Sequence, residues 1–444
     1  MVKYVAVVVM LALAAMNAKA EPAAETSSME ARIADLELKL KQLQEELAQQ
    51  KQASAAAAAA PASTVAVADE AAINAAVSKA LEKQLAEKPI VPEWVNNIKF
   101  NGDFRYRYEY TDDATKTADR NRNRIQARIG LIGKVNEEID YGFRLASGNS
   151  EEPLGEGSAT SHNQDLDNAF SGKNIWLDLA YFNYHPAGLK GLNVYGGKIE
   201  NPYYRVGNSD LLFDTDITPE GIAAVYKTKL SDDLDVFGAA GGFSITERQT
   251  EADTSLWAVQ AGATKRFGAE GKSYLTAGGG YYDYGNVRGE TGLGNDAAQF
   301  FGNTTAGGRY ASDFDIVQGF AEAGLPVLGD LPFKLFGDTV KNIRAQSGED
   351  TAWLAGASIG KTSTPGTWSF TYNYRDLEAD SLLGIFTEVT FGGGGTNVKG
   401  HKYTLNYQLA KNTQLGFSYM DADRTRSGQT ADYDVILTDL TVKF

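Results

Sequence analysis

Asp434-Val435-Ile436-Leu437-Thr438-Asp439-Leu440-Thr441-Val442-Lys443-Phe444 closes the chain, and its side chains alternate in character. Successive side chains of an extended strand point to opposite faces. Ile436, Thr438, Leu440, Val442 and Phe444 therefore share one apolar face ending on an aromatic ring, with Asp434 at its outer end in the same phase. Val435, Leu437, Asp439, Thr441 and Lys443 share the other, mixed face. A period of two over this length predicts a strand with one greasy side.

The same period runs from Ile98 to the end. Phe100, Gly102, Phe104, Tyr106, Tyr108 and Tyr110 fall on one face, and Asn101, Asp103, Arg105, Arg107 and Glu109 on the other. Next, Ile125, Ala127, Ile129, Leu131 and Gly133 oppose Arg122, Arg124, Gln126 and Arg128. A soluble core cannot pack so charged a face. A barrel with aromatics toward lipid and charges around a wet lumen accommodates it. Sixteen strands are read, near 98–111, 121–135, 138–148, 173–186, 192–200, 221–230, 234–246 and 255–267, then 272–287, 313–325, 332–344, 351–361, 367–378, 400–410, 413–424 and 433–444. The links 136–137, 231–233, 268–271 and 411–412 are short, whereas 149–172, 201–220, 288–312 and 379–399 are long. Short turns on one rim and long loops on the other mark an outer-membrane barrel, and an even count puts both ends on the periplasmic, short-turn side. An extra strand pair has room in 288–312 or 379–399, so eighteen strands is the second reading. The fold class is all-β: an antiparallel transmembrane barrel (residues 98–444) behind a short α-helical, coiled-coil segment.

Ahead of the barrel the pattern differs. Residues 1–20 read as a secretory signal: Lys3, an apolar run from Val5 to Met16, and Ala18-Lys19-Ala20 before Glu21. Cleavage there removes two lysines and no acid, taking the net charge from −15 by two further units to −17. In residues 21–54, Met29, Ile33, Leu36, Leu40, Leu43 and Leu47 step by four and three, a coiled-coil seam flanked by Glu and Lys. Its length of about three heptads is marginal alone and gains from a larger oligomer. Residues 55–68 form an Ala-rich linker. In 69–97, Ile73, Val77, Leu81 and Leu85 predict a short helix that Pro89 and Pro92 end.

Composition agrees with this division. The 46 Gly, 22 Tyr and 20 Phe against 5 Met suit a β-rich protein with aromatic girdles. Without cysteine there is no disulfide framework and no thiolate metal site. A strongly acidic chain does not suggest a nucleic-acid partner.

The terminal aromatic on a greasy face resembles the closing strand of Gram-negative outer-membrane barrels, which their assembly machinery reads. Asn101-Gly102-Asp103-Phe104-Arg105-Tyr106-Arg107, followed by Asn121-Arg122-Asn123-Arg124-Ile125-Gln126-Ala127-Arg128, resembles the opening hairpin of the "putative porin" family of such membranes. Gly197-Lys198-Ile199-Glu200-Asn201-Pro202, Gly319-Phe320-Ala321-Glu322 and Gly392-Gly393-Gly394-Gly395-Thr396-Asn397-Val398-Lys399-Gly400-His401 are similar to the same family. The resemblance runs from about residue 95 to the end. It implies a channel and leaves the solute open; a helical leader behind the signal peptide is common in the family.

The alternation places Arg105, Arg107, Arg122, Arg124, Arg128 and Arg144 on the inward face of the first three strands, one basic wall of the kind that attracts anions. The loop 201–220 carries Tyr203, Tyr204, Arg205, Asp210, Asp214, Asp216 and Glu220. In general porins the loop at this place folds into the barrel, which here would set carboxylates across from the basic wall. The bland alternative pairs the arginines with Asp103, Glu109 and Asp140 and leaves the acidic loop outside. Gly360-Lys361-Thr362 lacks the upstream glycine and the helix of a phosphate-binding loop. Asp214, Asp216 and Glu220 offer hard oxygens but not the spacing of a Ca²⁺ loop, and the run Gly392–Gly395 reads as a flexible loop element. Hydrolysis is not indicated: His162 lacks a serine partner at strand spacing, His185 precedes Pro186 at a periplasmic turn, and His401 opens a strand beside Lys402. The reading is therefore a non-enzymatic porin without cofactor or metal, passing small hydrophilic solutes, with an anion preference. It assembles as a homotrimer against outer-membrane lipid and lipopolysaccharide, and its periplasmic N-terminal helix reaches peptidoglycan. The rival is a structural tether between outer membrane and cell wall, with the barrel mainly an anchor.

Overall fold

The computed structural model describes residues 97–444 except 152–155, 269–270, 295–297 and 330. The signal peptide, coiled-coil seam, linker and second helix predicted for residues 1–96 lie outside the described residues.

Sixteen strands form the wall. They are β1 (Ile98–Asp113), β2 (Arg120–Lys134), β3 (Ile139–Ser147), β4 (Ile175–Tyr184), β5 (Leu192–Lys198), β6 (Glu220–Ser231), β7 (Leu234–Thr246) and β8 (Thr254–Phe267). They continue as β9 (Ser273–Gly285), β10 (Phe314–Val327), β11 (Leu331–Asn342), β12 (Thr351–Gly360), β13 (Trp368–Leu377), β14 (Val398–Ala410), β15 (Thr413–Arg426) and β16 (Gln429–Lys443). Each pairs antiparallel with its neighbour in sequence, and β16 pairs back onto β1 from Asp103↔Lys443 to Asp113↔Tyr433. The sheet is thus closed, which satisfies every edge hydrogen bond as a lipid environment demands. The sixteen-strand reading holds. Among the described residues, the segments with room for an extra pair are irregular loops that hold a two-residue ladder (Thr305–Ala306 with Arg309–Tyr310) and 3-10 turns at Gly384–Phe386 and Phe391–Gly393.

The closing seam shows why the last residue is aromatic. Phe444 and Gly102 exchange two backbone hydrogen bonds of 3.0 Å. A Cβ on Gly102 would stand 2.6 Å from Cζ of the Phe444 ring, so the glycine leaves the space that the ring fills. Beyond it, Phe104, Tyr106, Tyr108 and Tyr110 lie opposite Val442, Leu440, Thr438 and Ile436, which carries the greasy face across the seam. Phe104, Ile129, Phe143, Leu177, Leu335 and Leu405 stay exposed on the outward face, the apolar band expected of a transmembrane barrel.

Turn chemistry fits the hairpins. Ser427 and Gly428 both have positive φ (51° and 76°), as a two-residue type I′ turn requires.

The interior is not uniformly wet, contrary to the alternation-based expectation. The inward faces of β7 to β12 carry Phe243, Leu256, Tyr282, Phe314, Ile316, Phe320, Phe336 and Leu354, all buried. They form one apolar cluster with Val206, Leu211, Phe213, Leu382, Leu383 and Phe391 from the loops 199–219 and 378–397. Removing that much apolar surface from water is what holds the loops inside.

Candidate lumen and constriction

Loop 199–219 joins β5 to β6 and packs against the inner wall. Tyr203 lies edge-on to Tyr282 (ring centroids 5.3 Å apart), and its hydroxyl donates to the Ala258 carbonyl at 3.3 Å. Tyr204 is fixed through its backbone: its N–H donates to Gln260 Oε1 at 2.7 Å, and Gln260 Nε2 donates to its carbonyl at 3.0 Å. The turn at Val206–Asn208 rests on inward carboxylates. Gly207 N–H donates to Glu322 Oε2 at 2.6 Å, and Ser209 Oγ lies 3.5 Å from Asp338 Oδ2. Inward polar groups of the wall thus satisfy loop backbone that would otherwise be buried without partners.

The remaining long loops join it. Asp214 accepts from Val389 N–H at 3.0 Å, and its own N–H donates to the Phe386 carbonyl at 2.8 Å, joining loop 199–219 to loop 378–397. Asn303 Nδ2 donates to the carbonyls of Ala379 and Leu382, both at 2.7 Å, which adds loop 286–313. Fully buried Asp380 accepts from Thr304 N–H at 2.9 Å, Ser312 Oγ at 2.8 Å and Ser347 Oγ at 3.0 Å. The glycine run is therefore no flexible element. All four residues have positive φ, and a Cβ on Gly395 (φ +90°) would sit 2.0 Å from the Phe301 carbonyl oxygen. Only glycine combines that conformation with so close an approach.

The basic wall lies opposite, and it is largely paired. Glu109 takes both Arg122 and Arg124 (Arg124 at 3.0 Å), and Asp165 lies 2.6 Å from Arg124 Nε and 3.5 Å from Arg122. Asp103 holds Arg128 at 2.9 Å, Asp439 holds Arg107 at 2.7 Å, and Asp178 and Glu200 hold Arg144. Arg105 bonds to two amides, Gln126 and Asn163. Asp140 is not among the partners; it faces His185 at 3.0 Å.

His162, in the loop after β3, spans wall and constriction loop. Its Nε2 lies 3.0 Å from Asp178 Oδ1, and its Nδ1 lies 3.2 Å from Asp216 Oδ1. The Nδ1 contact lacks the alignment of a hydrogen bond, so charge carries that attraction. Burial opposes the imidazolium, but Asp178 and Asp216 outweigh it and raise the pKa to about 9. Burial likewise opposes ionised Asp216, and His162, Arg105 and Arg128 outweigh it and hold the pKa well below the ordinary range. Asp214 has no such cation: burial, Asp216 and Asp210 push it up to about 8.

A second charged cluster sits across the loop. Arg205 holds Asp210 at 3.2 Å, Lys402 on β14 lies 3.6 Å from Asp210, and Glu388 takes both Lys402 and Arg375 (the latter at 2.7 Å). Arg375 also stacks over Phe391 at 4.5 Å. Of the residues read as the acidic loop, Glu220 stands apart: it opens β6 and pairs with Lys198 at 2.8 Å. Asp214, Asp216 and Glu220 thus engage three different partners, with no geometry for one cation among them. Gly360 ends a strand, so no helix follows to cradle a phosphate.

Open space remains on both sides of loop 199–219. On the long-loop side a cavity of about 1320 Å³ is lined by His162, Trp176, Asp216, Ile245, Leu293 and Ile385. On the short-turn side a cavity of about 670 Å³ is lined by Tyr204, Arg205, Lys227, Lys229, Phe237 and Thr264. A smaller one of about 200 Å³ touches Glu109, Arg122, Arg124, Asn163, Thr390 and Tyr433.

The structure of Pseudomonas putida OprB at high pH is similar over 79% of this chain and 95% of that one, with a TM-score of 0.50 and 9% identity. A mutant of the Rh. blastica porin covers 78% of this chain and 100% of its own at 13% identity and a TM-score of 0.44. Salmonella typhi OmpF in complex with daunomycin covers 78% of this chain and 97% of its own at 12% identity and a TM-score of 0.45. At such identities the OprB likeness speaks to the barrel fold alone. No curated protein matches the chain. The family model described as "Putative porin" matches residues 111–312 and 321–444, and with this match over most of its barrel the chain belongs to that family.

Proposed function

We propose that the barrel is a passive-diffusion channel of the outer membrane for small hydrophilic solutes, with loop 199–219 as its constriction. The observation that carries this reading is the pair of cavities on either side of a loop held at mid-barrel by Gln260, Glu322 and Asp338. A sixteen-strand barrel is wide enough to enclose water beside an inward loop. Because five of the six wall arginines contact a carboxylate, the channel screens solutes mainly by size and polarity. The anion preference inferred from the arginine count is correspondingly small. In the same reading the outward aromatic face meets lipid and lipopolysaccharide, three copies assemble side by side, and the leader lies in the periplasm within reach of peptidoglycan.

Liposomes carrying the refolded protein test the proposal. Swelling in isosmotic solutions of neutral sugars should be faster than in empty liposomes and should slow steeply as the sugar grows. Rates equal to those of empty liposomes, from a barrel shown to be folded by its heat-modifiable migration, would refute the channel.

A further inference from the structure

The lumen is not equally open around its circumference. On the side of β7 to β12 the gap between wall and loop 199–219 shrinks to about 10 Å³, among Tyr203, Phe213, Tyr282, Gln318 and Asp338. That is no more than a single water molecule occupies. The chamber of about 200 Å³ lies on the other side, against β1, β2 and β16, and holds on the order of seven waters. Ser158, Ser161 and Val389 line both this chamber and the large long-loop cavity, so the two adjoin. Its inner edge is Val389-Thr390 of loop 378–397, and its outer wall carries Glu109, Arg124 and Tyr433. Among the described residues, none of loop 199–219 lines it.

We propose that Val389 and Thr390 form the size filter of the channel, which admits hydrophilic solutes up to the size of a monosaccharide and turns back disaccharides. This rests on the channel reading above. The edge is held on both flanks. Before it, Glu388 takes Lys402 and Arg375 (the latter at 2.7 Å), and Asp214 accepts the Val389 N–H at 3.0 Å. After it, buried Phe391 lies under Arg375, Arg424 Nη1 donates to the Gly392 carbonyl at 3.3 Å, and Arg426 Nη2 donates to the Gly394 carbonyl at 2.6 Å. The facing wall is fixed as well: Arg424 pairs with Asp113 at 2.8 Å and stacks over Tyr433 at 4.5 Å. Between these anchors Val389 and Thr390 stay half-buried, so side-chain size at the two positions changes the width directly. Loop 199–219 seals the other side of the lumen and, through Asp214, buttresses the edge that sieves.

The test is swelling of liposomes carrying the refolded full chain in isosmotic glycerol, glucose and sucrose. Val389→Ala should raise the glucose-to-glycerol rate ratio and admit sucrose, and Val389→Phe should lower that ratio. A substitution that merely loosened the loop would shift both variants the same way. The chain has no cysteine, so Thr390→Cys gives a second reading that serves if a Val389 variant fails to fold. Labelling it with benzyl methanethiosulfonate, a bulky uncharged reagent, should shrink the single-channel step in planar bilayers, and dithiothreitol should restore it. Unchanged rate ratios in the Val389 variants, shifts of the same sign, or a full-sized step after complete labelling would overturn the assignment. A folded wild type that neither swells liposomes nor conducts would instead remove the channel reading itself.

Discussion

His162→Gln tests the electrostatic link between wall and constriction loop. The imidazole lies between Asp178 and Asp216, and its pKa rises from 6.5 to about 9. That difference is worth about 3 kcal/mol of preference for the charged ring in the closed arrangement. Because the closed-state pKa is raised, the contribution is complete below pH 6.5 and is lost as pH climbs through about 9. Glutamine keeps much of the shape and removes the charge. The reporter is the His162 amide, which donates to Asp216 Oδ2 at 3.1 Å when the loop is seated. Hydrogen exchange of this segment reads the local opening equilibrium. At pH 6 the variant should lose about two orders of magnitude in protection relative to wild type, the factor that about 3 kcal/mol implies. At pH 10 the two should coincide. Equal protection at pH 6 would refute the link. A gap that persists at pH 10 would show packing rather than charge at work.

Other substitutions test the remaining contacts. Glu109→Gln removes the carboxylate shared by Arg122 and Arg124, so the reversal potential should move toward anions; the double change Arg122→Gln, Arg124→Gln should move it toward cations. Asp380→Ala leaves Thr304 N–H and the hydroxyls of Ser312 and Ser347 without their acceptor; a loss of about 3 kcal/mol should appear as protease cutting in loops 286–313 and 378–397 while the barrel stays intact. Gly395→Ala forces a Cβ to 2.0 Å from the Phe301 carbonyl at a positive φ, at a cost of at least about 1 kcal/mol; it should raise the noise of the open-channel current without unfolding the barrel.

The wall was legible because it depends on local alternation. Once Tyr106, Tyr108 and Tyr110 are set opposite Arg105, Arg107 and Glu109, facing follows from a period of two, and the strand count follows from the links. Loop packing was not legible in the same way. Gln260, Glu322 and Asp338 look like ordinary lumenal polar residues until Tyr204, Gly207 and Ser209 are placed on them, and those contacts span 56, 115 and 129 residues. The inward Phe320 and Phe336 were a signal that part of the lumen is dry, since a water-filled face has no use for them. Charge counting also misled. Six arginines on one wall suggest an anion filter, but Asp165 and Asp216 come from loops, and Asp178 and Asp439 from β4 and β16, to pair with most of them. Glycine-rich sequence pointed to flexibility at 392–395, where the requirement is close backbone approach.

Single-channel conductance tests the central claim, an aqueous barrel narrowed by its own loop. Wild-type protein should give discrete steps. Replacing residues 203–216 with a short Gly-Ser turn should give larger steps, because the Tyr203, Leu211 and Phe213 side chains no longer fill the lumen. Steps of equal size in both would contradict the assignment of the constriction.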